Sequence, residues 1–185
     1  MDSSEDNQFS EVMNFRKSLD AETDRGCALM AAAFLDTELE RLLRSLLIED
    51  EKVAGELLGQ SKAIGTFSSR IDLAFMLGLT SSLSRRDLHL VRKIRNIFGH
   101  THLPIEFEDQ SIANRCKELT HHLRDQGDAP RKLFISAAVG LLAIIHSAMD
   151  NRERIVARED PNLDRAKFEA DQIMAKRREG KRDGT

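Results

Sequence analysis

An arginine, an asparagine and a histidine lie close together in the segment RNIFGH, as Arg95, Asn96 and His100. Histidine exchanges protons near neutral pH, and a nearby guanidinium can hold a phosphate and stabilise developing charge. Asn96 adds a neutral amide, so these residues supply the groups that metal-free cleavage of RNA requires. Five residues turn an ideal helix by about 140° beyond one full turn. Arg95 and His100 can therefore act together only if the helix ends at Gly99 and His100 swings into a cleft.

The same residues also have a structural interpretation. The spacing of Arg95 relative to the apolar residues of its helix predicts a position on the apolar side. A guanidinium there needs a partner or a solvated cleft, and Glu38 or Asp72 could supply the partner. His100 would then stabilise the last carbonyls of the helix as a cation. The residue types leave the catalytic and the structural interpretation open.

The helix that must position these groups is predicted to begin at Ser84 and to end at Gly99. Ser84 suits an N-cap, with Asp87 as an imperfect capping box, and Gly99 suits a C-cap. A basic group on this helix could contact a nucleic-acid backbone or a partner protein: Arg85, Arg86, Arg92 and Lys93. The apolar pattern gives no helix-turn-helix, and no aromatic residues are interleaved for stacking on single strands. We therefore expect any nucleic-acid association to be indirect.

The composition favours helices throughout. Only 5% of the 185 residues are aromatic, and the chain contains three prolines and ten glycines. This length suits one domain with a sizeable core. We expect an all-α, single-domain bundle of about six or seven helices. The formal net charge of -3 provides no global attraction to nucleic acid.

Charge and hydropathy divide the chain into three parts. Residues 1–8 are expected to be disordered, residues 9–158 to form the bundle, and residues 159–185 to form a charged C-terminal tail. The acidic N-terminus does not match a targeting peptide, and the apolar run over residues 133–149 is interpreted as a buried core helix. We expect a cytoplasmic protein with no membrane partner.

The cysteines and histidines do not predict a metal centre. Cys27 and Cys116 are the only cysteines, which excludes a disulfide framework and makes a cysteine zinc site implausible. The two histidine pairs, His100 with His102 and His121 with His122, are interpreted as solvated residues at loops and a helix end. No glycine-rich phosphate loop occurs in the sequence. We expect neither a metal nor a cofactor.

Two stretches resemble the mannitol operon repressor (MltR/MtlR) family of bacterial regulators. They are FSSRIDLAFMLGL at residues 67–79 and DLHLVRKIRNIFGH at residues 87–100. The resemblance covers roughly residues 25–150. It rests on Arg70 in the first helix and the Leu-Gly-Leu ending of that helix, followed by Arg95 and His100 at the end of the next helix. Arg70, Asp72 and Gly78 are therefore assigned as a structural motif. The resemblance implies an all-helical, non-enzymatic transcription regulator that acts through protein contacts or indirect nucleic-acid association.

The ending of the second stretch is also similar to the arginine-then-histidine motif of HEPN domains. Those domains are helical bundles, often dimeric, and many are metal-independent ribonucleases. This similarity implies an alternative function as an endoribonuclease that uses Arg95, Asn96 and His100, with a homodimer as its working form. A third hypothesis is a helical interaction module with no nucleic-acid role. A protein partner is expected for the regulator and for the interaction module.

Overall fold

A computed structural model describes residues 3–123, 127–150, 153–159 and 163–179. These residues form eight α-helices and no strand, which confirms the predicted all-α class. The helices are α1 (Ser3–Ala21), α2 (Asp24–Leu46), α3 (Glu51–Leu58), α4 (Phe67–Met76), α5 (Ser82–His100), α6 (Gln110–Glu118), α7 (Pro130–Asp150) and α8 (Leu163–Glu179). One compact unit extends to Ile155, and a second unit, which contains α8, begins at Val156.

The first unit is built around α2, which contacts α1, α4, α5 and α7. Its buried face combines leucines with the small residues Ala28, Ala31 and Ala32. Small side chains allow neighbouring helices to approach closely, because interaxial distance depends on the residues at the contact. The side chain of Thr23 accepts a hydrogen bond from the Gly26 amide at 3.1 Å and so caps the start of α2.

The most apolar helix is α7, which by length and composition alone could cross a membrane. Half of its most apolar window is buried, and the helix contacts α1, α2, α5 and α6. Leu133, Phe134 and Leu142 are fully buried in the core of this unit. The burial agrees with the predicted core helix at residues 133–149.

The observed ends of α5 differ from the predicted ones. Ser81, rather than Ser84, caps the helix, because the Ser81 side chain accepts a hydrogen bond from the Ser84 amide at 3.1 Å. At the other end the helix continues through Gly99 to His100, and Thr101 takes the C-cap position. Asp87 does not complete a capping box, because its carboxylate binds the segment that follows α6.

Other boundaries also require correction. α1 begins at Ser3, so residues 3–8 are helical rather than disordered, while residues 1–2 lie outside the described part of the chain. α6 ends at Glu118, and Leu123, which lies beyond it, is exposed. α7 ends at Asp150, and residues 153–159 are irregular. α8 forms a helix within the predicted charged tail, and its described side chains are exposed, as charged sequence favours.

Candidate functional site

Arg70 connects three helices through one buried guanidinium. It is 4% exposed. Its nitrogens donate to Asp36 Oδ1 at 2.7 Å, to Glu40 Oε2 at 2.6 Å and to the Leu58 carbonyl at 2.7 Å. The carboxylates belong to α2 and the carbonyl to the end of α3. A buried charge is tolerated only when it is paired and hydrogen-bonded in this way.

The other two residues of the assigned structural motif, Asp72 and Gly78, lie within α4 and just after it, where the chain turns towards α5. Asp72 accepts hydrogen bonds from Arg85 at 2.7 Å and from His89 at 3.1 Å. The bond from His89, together with that from Arg85, lowers the pKa of Asp72. Gly78 adopts a φ of +70°, and the Leu79 amide donates to the carbonyl of Ala74 at 2.9 Å. This Schellman ending requires the left-handed conformation that glycine adopts without strain.

The four predicted basic surface residues of α5 have different environments. Arg85 is held by Asp72 and lies over the ring of Phe75, with its guanidinium 5.4 Å from the ring centroid. Arg86 donates to the carbonyl of Glu118. Lys93 is exposed, whereas Arg92 is half-buried and lines a cleft.

That cleft lies between α2, α4 and α5 and has a volume of about 510 Å³. Arg92, Arg95 and Asn96 of α5 line it together with Arg70 of α4. Arg95 is exposed and lines this cleft, so of the two environments expected for its guanidinium, a partner or a solvated cleft, the structure shows the cleft. Its position is at the edge of the apolar stripe, from which a long side chain reaches solvent.

The cationic groups of α5 have no acidic partner in the cleft. Arg95 Nη1 donates to Asn96 Oδ1 at 3.1 Å. Among the described residues, neither Arg92 nor Arg95 forms an ion pair, and Nε of Arg92 is buried without a hydrogen-bond partner. The predicted partners of Arg95 are engaged elsewhere, since Glu38 pairs with Arg41 and Asp72 pairs with Arg85.

His100 is separated from this cleft. It is the exposed last residue of α5, and the lining of the cleft does not include it. Because α5 continues through Gly99, Arg95 and His100 are about 7.5 Å apart along the axis and about 140° apart around it. The structure brings Arg95 and Asn96 together but places His100 on another face of the same helix.

Sequence reasoning missed a buried serine–histidine–aspartate arrangement. Ser84 Oγ lies 3.1 Å from His121 Nε2, and His121 Nδ1 lies 2.7 Å from Asp87 Oδ2. The order matches that of a nucleophile, a base and an orienting acid. Ser84 is only 2% exposed, so the arrangement joins α5 to the segment after α6 and presents no nucleophile to solvent. Because 34 or more residues separate His121 from the other two, no local sequence signal could have revealed it.

The hydrogen bonds around Asp87 also affect its ionisation. Burial by itself would raise the pKa of this carboxyl group. Hydrogen bonds from His121 and from both the amide and the hydroxyl of Thr120 outweigh that effect and lower the pKa. The carboxylate form is therefore the one that the folded chain stabilises.

A second missed cluster lies where α1, α2 and α7 meet. Glu11, Glu38 and His146 each place one potential metal-ligand atom within 4.8 Å of the others. Arg41 already pairs with Glu38 at 2.9 Å and approaches Glu11 at 3.7 Å, while His146 Nε2 lies 3.0 Å from Glu38. The guanidinium supplies the positive charge that the two carboxylates require. The cluster is therefore best described as an ion-pair network.

Comparisons with known proteins support the fold. No protein-family model and no curated protein sequence matches the chain. A solved chain from the MtlR–HPr complex of Escherichia coli is similar in structure, with a TM-score of 0.61 and 19% sequence identity. The similarity covers 73% of this chain and 98% of that chain. It agrees with the predicted resemblance at the level of the fold.

Proposed function

We propose that the chain is a non-enzymatic, protein-binding regulator of the MtlR type and that its partner is an HPr-like protein. The observation that carries this proposal is the fold similarity, which extends over nearly all of a chain solved in a protein–protein complex. The separation of Arg95 from His100 is consistent with it, because a single chain does not assemble the pair needed for RNA cleavage.

We assign the partner contact to the α4–α5 corner, defined as Met76, Leu83, Arg85 and Arg86. Met76 is 77% exposed and Leu83 is 52% exposed, although both are large apolar side chains. Protein interfaces commonly place apolar residues at the centre and charged residues at the rim. Arg85 and Arg86 would form such a rim, where charge selects the partner and accelerates association.

The direct test is calorimetric titration of the purified chain with HPr from the same organism. We expect saturable binding by wild type and at least about tenfold weaker binding by Met76→Asp and Leu83→Asp, because central interface residues dominate affinity. Leu103→Asp is the matched control, since Leu103 is 72% exposed and lies outside the corner. Absence of binding by wild type would refute the HPr proposal. Equal weakening by the control would refute the assignment of the corner.

One observation favours a second candidate, an HEPN-like ribonuclease that works without metal. Arg95 and Asn96 are hydrogen-bonded to each other at an open cleft. In such an enzyme His100 would be supplied by the second protomer of a homodimer. The regulator proposal predicts no cleavage of RNA in the absence of metal. Cleavage by wild type that disappears in a folded His100→Ala variant, as checked by circular dichroism, would replace the regulator with the ribonuclease.

A further inference from the structure

The cleft between α2, α4 and α5 contains two arginines, Arg92 and Arg95, that form no ion pair with the acidic residues of its lining. We propose that it binds the phosphate group of a small phosphorylated metabolite and that Arg92 and Arg95 hold this group. The proposal goes beyond HPr binding, because it concerns a ligand site whose lining excludes Met76 and Leu83.

The acidic residues of the cleft, Asp36 and Glu40, already pair with arginines. Asp36 and Glu40 both accept short hydrogen bonds from Arg70, at 2.7 Å and 2.6 Å. Glu40 also accepts one from Arg44 Nε at 2.9 Å. Arg44 lies outside the lining and also pairs with Glu51 at 3.1 Å. Both carboxylates of the lining are therefore already paired with arginines, and Arg92 and Arg95 are the arginines of the lining that an anionic ligand would meet without an acidic competitor.

Arg92 provides an independent indication of a ligand. Its Nε is buried and has no hydrogen-bond partner, which is costly for a charged donor. Nε of the nearby Arg70 is also buried without a partner. The planar guanidinium presents parallel donors that match the oxygens of a phosphate, and Arg92 and Arg95 both contribute a guanidinium to the lining of the cleft.

The size and the remaining lining favour a small molecule. A volume of about 510 Å³ is within the usual range of small-molecule sites. Thr37, Gln60 and Ser68 add neutral polar groups suited to hydroxyls, and Phe67 adds an apolar surface. Carboxylates within the lining disfavour a ligand with many negative charges. One phosphate attached to a hydroxylated molecule therefore fits better than a polynucleotide.

The test is calorimetric titration with inorganic phosphate, glycerol 3-phosphate and glycerol. We expect saturable binding of both anions, tighter binding of the ester, and none of glycerol. Arg92→Gln and Arg95→Gln should each weaken binding about tenfold or more, as expected for loss of a charged hydrogen bond. The matched control is Lys93→Gln, which removes the same charge from an exposed neighbour outside the cleft. It should change the affinity less than about twofold.

Several results would overturn the proposal. Absence of saturable binding by wild type would do so, as would equal weakening by Lys93→Gln, which would indicate diffuse attraction. A short single-stranded RNA that displaces phosphate and binds more tightly would assign the cleft to a polynucleotide. Arg95 is exposed, so Arg95→Gln keeps the test valid even if Arg92→Gln fails to fold. HPr binding should be measured in parallel on the same variants, and we expect it to be unchanged. A failure of phosphate binding can then be distinguished from a failure of the proposed HPr contact.

Discussion

Asp87 Oδ2 lies 2.7 Å from the ring nitrogen Nδ1 of His121 and also accepts a hydrogen bond from the His121 amide at 3.0 Å. The same oxygen accepts two further bonds from Thr120, and Asp87 has no exposed surface. One carboxylate therefore fixes the segment that follows α6 against α5. α7 also packs closely against this segment, because the backbone of Gly140 in α7 lies next to the carbonyl group of His121.

Replacing Asp87 should destabilise the chain strongly. Asp87→Asn keeps the shape but removes the charge that strengthens these hydrogen bonds, so we expect a loss of about 2–3 kcal/mol in the free energy of unfolding. Urea denaturation provides the measurement. Asp72→Asn is the control, because Asp72 is about half exposed and its loss should cost less than about 1 kcal/mol. Equal losses would contradict the assigned role of Asp87.

The lowered pKa of Asp87 predicts how stability depends on pH. A carboxyl group whose pKa is lower in the folded state stabilises the fold above its unfolded pKa, and this contribution is lost as pH falls through the folded pKa. Wild type should therefore lose more stability than Asp87→Asn on acidification from about pH 5 to pH 2. Thermal denaturation of both proteins across this range measures the difference. Parallel curves would show that Asp87 does not contribute.

Arg70 should be among the most sensitive positions in the chain. Arg70→Met removes the guanidinium and leaves Asp36, Glu40 and a carbonyl without their shared donor. Breaking a buried ion pair in this way costs about 3–5 kcal/mol. Arg44→Met removes a more exposed partner of Glu40 and should cost less than about 1 kcal/mol. Urea denaturation of the two variants provides the comparison. Similar unfolding midpoints would show that Arg70 stabilises the fold no more than Arg44 does.

Two glycine substitutions should differ in cost for distinct reasons. A Cβ at Gly78 would meet no other atom, but the φ of this residue is +70°. Gly78→Ala should therefore lower the free energy of unfolding through backbone strain alone, by about 1–2 kcal/mol. Gly140 lies within α7, and a Cβ there would be 2.4 Å from the carbonyl oxygen of His121. Gly140→Ala must displace backbone and should cost more, about 2–3 kcal/mol. Thermal denaturation ranks them, and the reverse order would contradict this close approach.

Both cysteines should resist modification in the folded state. Burial raises the pKa of the thiols of Cys27 and Cys116 to about 12, and neither has exposed surface. Thiolate is the reactive form, so a disulfide reagent should label neither residue at about pH 8 until the chain unfolds. Spectroscopic thiol titration with and without denaturant tests this. Rapid labelling of the native chain would show that the surrounding core opens readily.

Local sequence patterns determined the helices and several of their ends. Helical spacing places Leu88, Val91, Ile94 and Phe98 on one face of α5, and all four are fully buried. Thr23 is a residue type that favours the N-cap position, and it does cap α2. These features depend on residues within about one turn of each other, which is the range over which helical periodicity and capping operate. Ser81 and Ser84 are chemically equivalent candidates for the cap of α5, so residue type could not distinguish them. The predicted start of α5 at Ser84 was therefore wrong.

Tertiary structure decided how the charged residues are used. The sequence alone indicated an all-helical chain with Arg95 and His100 on one helix, and it left open whether Arg95 would meet a partner or a solvated cleft. It also gave no indication that Arg70 would bind Asp36 or that Asp87 would bind His121. Those partners are separated by 34 residues in each case. Periodicity identifies the face of a helix on which a residue lies, whereas its partner depends on the distance and angle at which helices pack.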